Sequence, residues 1–99
     1  MAVYLVAESK INDPKMLENY RKHSVPSALK YGGKYIVTGS LPTVLEGEKK
    51  DRGMVVVEFP SKEKLLEWYN SPKYKEALKY KDQAMVRNLY FLEGVIPKE

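Results

Sequence analysis

One histidine, His23, stands alone in a chain of 99 residues that has no cysteine. Histidine is the side chain whose ordinary pKa lies nearest neutrality, so His23 is the natural general base or haem ligand if chemistry occurs here. It follows Tyr20 by three residues, which on a helix puts both on one side, beside the core stripe. The alternative is a surface or boundary histidine. Ser24 makes no catalytic pair with it, because adjacent helical residues point apart and no carboxylate is placed to orient the ring.

Eight tyrosines offer a second kind of chemistry. Tyr20, Tyr35, Trp68, Tyr69 and Tyr74 form an aromatic set that can line a pocket, hold a flat organic ligand and orient it with phenol hydroxyls. Plain packing between helix and sheet is the alternative for each ring. Glu58 falls near the end of an apolar strand and would act as a base if desolvated. Arg87, at the start of the last strand, could hold Glu58 or an anionic substrate. A structural ion pair or a solvated rim is the alternative, and Glu8 and Glu46 read the same way. On this scheme Tyr20 and Tyr69 orient a substrate, and His23 or Glu58 moves the proton. One histidine without cysteine makes a transition-metal site within one chain unexpected, and no cofactor is called for unless His23 holds haem.

These residues need elements to position them. Ala2–Ala7 is apolar and β-rich and predicts a first strand. Asp13 can cap a helix whose first turn accommodates Pro14. The helix continues through Leu17, Tyr20, Ser24 and Ala28 towards Tyr31, with Pro26 expected to bend or break it near His23–Val25. Gly32-Gly33 ends it; the pair lacks a phosphate-loop frame and is followed by a strand. Lys34–Thr38 is a strand, Gly39–Pro42 a turn, Thr43–Glu46 a short strand, and residues 47–53 a charged loop. Met54–Phe59 is a strong central strand. Ser61 and Ser71-Pro72 each open a helix, the first burying Leu65, Trp68 and Tyr69, the second carrying Tyr74, Ala77 and Leu78. Asn88–Glu93 is the last strand. The order β-α-β-β-α-β, with its second helix broken in two, is the α+β, ferredoxin-like arrangement of one antiparallel sheet with helices on one face. A single domain over residues 1–99 is expected.

Strand alternation separates two faces. Val3, Leu5 and Ala7 oppose Tyr4, Val6 and Glu8; Val55, Val57 and Phe59 oppose Met54, Val56 and Glu58. The first sets suit the helices. The second are too apolar to leave in water, which points to a symmetric homodimer packed sheet to sheet. A monomer with a half-wet sheet is the alternative.

The net charge of +4 does not point to nucleic acid. Lysines over residues 62–81 are interspersed with acids, and Met54–Phe59 lacks the basic and aromatic strand motif of RNA-recognition domains. No apolar run is long enough to span a membrane. Absence of cysteine and of a basic leader gives a cytoplasmic expectation.

The run Asp13-Pro14, Tyr20-Arg21, Pro26, Tyr31–Tyr35, Gly39, Leu45-Glu46-Gly47, Val57–Ser61, Trp68–Tyr74 and Leu92-Glu93-Gly94 covers nearly the whole chain. It resembles the small bacterial and archaeal proteins grouped as domain of unknown function thirteen-thirty, within the dimeric α/β-barrel superfamily. The resemblance implies a ferredoxin-like protomer and a homodimer whose sheets form a barrel. It implies no activity, although the superfamily includes haem-degrading and quinol-forming monooxygenases with a pocket between sheet and helices. The sequence departs from the family's pattern at Thr38-Gly39-Ser40, where Arg before Gly-Gly is common, and so lacks a positive charge there. The reading is a protein that binds or transforms a small organic molecule in an aromatic-lined pocket. Any catalysis would be cofactor-independent proton transfer or monooxygenase-like. The alternatives are a non-catalytic sensing or interaction module, marked by a pocket filled with its own Trp68, Tyr69 and Tyr20 rings, and a haem protein using His23.

Overall fold

A computed structural model describes residues 1–94. The end of the expected domain, residues 95–99, lies outside the described residues. The order is β1 (Val3–Ile11), α1 (Pro14–Lys30), β2 (Lys34–Ser40), β3 (Gly53–Phe59), α2 (Lys62–Tyr69), α3 (Pro72–Ala84) and β4 (Met85–Glu93). The strands form one sheet in the order β2-β3-β1-β4, with every neighbouring pair antiparallel. This is the ferredoxin-like arrangement. Among the described residues no helix is long and apolar enough to cross a membrane.

Local chemistry sets the helix starts. The Asp13 carboxylate accepts from the backbone N–H groups of Lys15 and Met16 at 3.0 and 3.3 Å, with Pro14 in the first turn. Ser61 accepts from Lys64 N–H at 3.1 Å. Ser71 accepts from Tyr74 N–H at 3.1 Å and donates to the Trp68 carbonyl at 2.7 Å, so one hydroxyl ends α2 and starts α3. Each cap satisfies donors that a helix start leaves unpaired. Past the end of α1, Gly33 N–H donates to the Ala28 carbonyl at 2.8 Å. A Cβ on Gly33 would lie 2.8 Å from that same oxygen, so the close return needs glycine.

Three expectations about elements are corrected. Of the bend or break expected at Pro26, the break does not occur: α1 is one helix from Pro14 to Lys30 with Pro26 inside it. Tyr20, Ser24, Ser27 and Ala28 are buried along it, and this tertiary packing outweighs the one backbone bond that proline removes. Thr43–Glu46 is no strand: the segment between β2 and β3 finds no ladder partner, and Leu45 is 95% exposed. The last strand also starts three residues early, at Met85, which places Arg87 inside the ladder opposite Ser9.

The core lies between the sheet and the helices. Val3, Leu5, Val57 and Phe59 pack against Tyr20, Ala28, Leu65, Trp68, Tyr74 and Ala77. Tyr69 leaves this stripe and is 43% exposed. The indole N–H of Trp68 donates to Ser27 Oγ at 3.0 Å, and that hydroxyl donates to the Ser24 carbonyl at 2.7 Å, which satisfies the ring's one polar atom in the core. On the other sheet face Tyr4, Val6, Val56, Tyr90 and Leu92 form cross-strand neighbours that no helix covers. Val6 at the centre is buried, whereas Leu92 is 58% exposed.

Candidate functional site

A cavity of about 420 Å³ lies between the sheet and α1, with Trp68 of α2 in its wall. Its floor is apolar: Leu5, Ala7, Val57, Ala28 and Trp68 are buried residues of the wall. Its exposed residues, among them Lys10, Ile11, Arg21, Leu41 and Asp51, mark the solvent side. Tyr20, Tyr35, Ser24 and Arg87 supply polar atoms to the wall.

The polar wall is built around Arg87. Register on β1 puts Arg87 opposite Ser9, on the same face as Leu5 and Ala7 and therefore towards the helices. Its Nη1 donates to Tyr20 Oη at 2.8 Å and its Nη2 donates to Tyr74 Oη at 2.7 Å. The two phenol oxygens lie 2.8 Å apart, and their rings meet edge to face at 79°. The cluster thus joins α1, α3 and β4. No salt bridge to Arg87 is present among the described residues.

Burial sets the electrostatics. It pushes the Tyr35 pKa up to about 12, with the nearby Tyr20 adding to the rise and Arg21, Ser24 and Arg87 opposing it. It also drives Tyr74 well above the ordinary phenol value, Tyr20 again adding and Arg87 opposing. Burial works against the Arg87 charge, but Tyr20 and Tyr74 outweigh it and hold the guanidinium's pKa above its usual value. At neutral pH Tyr35 is therefore a neutral phenol and Arg87 a fixed cation in the wall, with the neutral phenol of Tyr74 buried behind them.

Tyr20, Tyr35, Trp68 and Arg87 are brought together as the sequence suggests. Tyr69 is not; it borders a second hollow of about 330 Å³ with Leu78, Lys81 and Asp82, on the far side of Arg87 and Leu89. His23 does not line the cavity. Its ring stacks on Tyr80 of α3, centroids 5.6 Å apart and planes within 5°. Helical spacing correctly put it near Tyr20 in angle, but α3 covers that strip of α1. His23 therefore does not present its ring to a group bound in this cavity. Glu58 is also displaced. It is the ladder partner of Tyr4 and Lys34 on the uncovered face. There a hydrogen bond to Glu58 raises the Tyr4 pKa. Glu58 therefore neither meets Arg87 nor faces the cavity. Glu8 does the same for Tyr90, accepting its phenol proton. Among the described residues no cluster of three or more His, Asp or Glu is placed for a metal ion. Sequence reasoning gave Tyr74 as an aromatic and missed its tie to Arg87; the signal, an arginine at a helix-facing strand position, needed the true start of β4.

The family described as Domain of unknown function (DUF1330) matches residues 2–95. Solved structures share the fold. A protein of unknown function from Rhodopseudomonas palustris has 21% identity, TM-score 0.77, and the match covers 97% of this chain and 84% of that one. SnoaB, a cofactor-independent oxygenase from Streptomyces nogalater, has 8% identity, TM-score 0.70, and 97% and 95% coverage. A dimeric protein of unknown function and ferredoxin-like fold from Bacteroides fragilis has 12% identity, TM-score 0.60, and 94% and 96% coverage. No curated protein matches the chain.

Proposed function

The chain belongs to the DUF1330 family, and from its own side chains we propose that it is a homodimer whose protomers each bind a small organic molecule in the cavity between sheet and helices. The observation that carries the ligand reading is the pairing of an apolar floor with the Arg87–Tyr20–Tyr74 cluster. Pockets for small organic ligands combine these features: apolar area for affinity and a few fixed polar groups for orientation. The cavity is open rather than filled by Trp68, Tyr69 and Tyr20, which favours ligand binding over the self-filled module.

The dimer reading rests on the uncovered sheet face. Val6, Val56, Tyr90 and Leu92 are too apolar a patch for water, and a second copy offers the same patch across a two-fold axis. The ferredoxin-like protein from Bacteroides fragilis is described as dimeric, in line with this arrangement.

Of the reaction classes open to such a site, proton transfer without a bound cofactor is the one these residues serve. Tyr20, rather than His23 or Glu58, stands at the reacting end. The fold shared with SnoaB is compatible with that class, and fold alone carries no chemistry across.

The test uses neutral 2-naphthol as probe and methyl NMR as readout. Shifts at Leu5, Val57 and Leu89 with none at Val56 or Leu92 support the site. Filling the floor with Ala7→Phe removes them. Shifts confined to the outer face, or none at all, reject the cavity as the binding site.

A further inference from the structure

Two phenols carry two O–H protons, and the 2.8 Å contact between Tyr20 and Tyr74 uses one of them. Burial decides which. Tyr74 is fully buried and does not line the cavity. Its oxygen has two hydrogen-bonding side-chain neighbours, the Tyr20 oxygen and Arg87 Nη2, and a guanidinium only donates. A Tyr74 proton turned elsewhere would be stranded in the core at the cost of an unmade hydrogen bond. Tyr74 therefore donates to Tyr20. The Tyr20 oxygen then accepts twice, from Tyr74 and from Arg87 Nη1. Its own proton has no side-chain acceptor among the described residues. Tyr20 lines the cavity, so the acceptor must come from there.

Arg87 leads to the same end. A guanidinium has five N–H donors, and two go to the phenols. Around the cavity Lys10, Arg21 and Arg87 stand against Asp51 alone. The wall at Tyr20 and Arg87 offers protons and positive charge over an apolar floor, and the complementary ligand presents charged oxygen on a flat apolar body.

We propose that the cavity takes a flat organic oxyanion, a carboxylate or enolate, whose charged oxygen accepts the Tyr20 proton with Arg87 behind it. This rests on the cavity being a ligand site, as above. Tyr20 is the contact donor. Arg87 and Tyr74 are positioning residues that fill both its lone pairs and so turn its proton inward.

The test compares 2-naphthoate with its neutral isostere 2-naphthamide on the intact protein, each titrated and followed at the Leu5, Val57 and Leu89 methyls. Both should shift these signals, and the acid should bind about tenfold or more tightly. Tyr20→Phe and Arg87→Gln should each weaken the acid more than the amide and so reduce that preference. An amide that binds as tightly as the acid overturns the proposal and leaves the cavity as a ligand site. Failure of both probes to shift the methyls overturns the cavity reading itself. A preference that survives both substitutions overturns the roles of Tyr20 and Arg87 in the proposal, because Lys10 and Arg21 of the same cavity would then be its source. Should a variant fail to fold, the acid-to-amide ratio of the native chain still decides.

Discussion

Arg87 of β4 donates to the hydroxyl of Tyr20 in α1 at 2.8 Å, across 67 positions of sequence. With Tyr74 it makes a polar cluster that joins α1 and α3 to the sheet. Such a cluster stabilises only when its members are all satisfied, since a half-made buried network costs more than an apolar one.

Removing the acceptor should therefore hurt. Tyr20→Phe leaves the buried Tyr74 proton without a partner and should destabilise the fold by about 1–3 kcal/mol. Tyr74→Phe should cost a similar amount, and the double variant clearly less than the sum, because the residues act as a unit. Urea denaturation of the four proteins measures this. Strict additivity would mean the cluster is not coupled.

Ser27 holds the indole of Trp68 at 3.0 Å. Ser27→Ala orphans that N–H in the core and should cost about 1–3 kcal/mol. Adding Trp68→Phe, which removes the orphan, should give a double variant less unstable than the two separate losses predict. Equal stability of Ser27→Ala and the native chain would reject the bond's role.

His23 packs on Tyr80 away from the cavity. His23→Ala should leave 2-naphthol affinity unchanged and reduce stability by about 0.5–1.5 kcal/mol through the lost stack. A large loss of affinity with intact folding would return His23 to the site.

Val56 sits at the middle of the uncovered sheet face, opposite Val6. Val56→Glu places a charge where two copies would meet and should yield a folded monomer by sedimentation, with the native circular dichroism. A variant that still sediments as a dimer would place the interface elsewhere.

Alkali should act through Tyr35, whose pKa rises from 10.0 to about 12 on burial. Between these values the unfolded chain has released a proton that the native chain keeps. Stability contributed by this group is thus intact below pH 10 and falls as the pH climbs to about 12. Tyr35→Phe should flatten that part of the stability curve, read by urea denaturation from pH 8 to 11. An unchanged slope would show that the phenol titrates alike in both states.

Much of the fold is legible because its signals are local. The caps at Asp13, Ser61 and Ser71 and the glycine return at Gly33 act within one turn, so residue type and spacing state them directly. The site was only half legible. Tyr35, Trp68 and Arg87 carry their chemistry in their type, but Glu58 and His23 carry the same kind of promise and end up elsewhere.

Apart from the short strand read at Thr43–Glu46, sequence alone determined the order of the four long strands and the helices between them, the helix starts, and the existence of two apolar sheet faces where helices can cover one. These depend on contacts a few residues apart. Tertiary structure alone decided which polar groups share a cavity. A strand position faces helices or not according to register, and a shift of one residue reverses it. Arg87 falls on the inner face and Glu58 on the outer by that rule. His23 is turned from the cavity because α3 packs on its side of α1. The 67-residue link from Arg87 to Tyr20 follows from those two placements together, and neither is written in the spacing of the residues that make it.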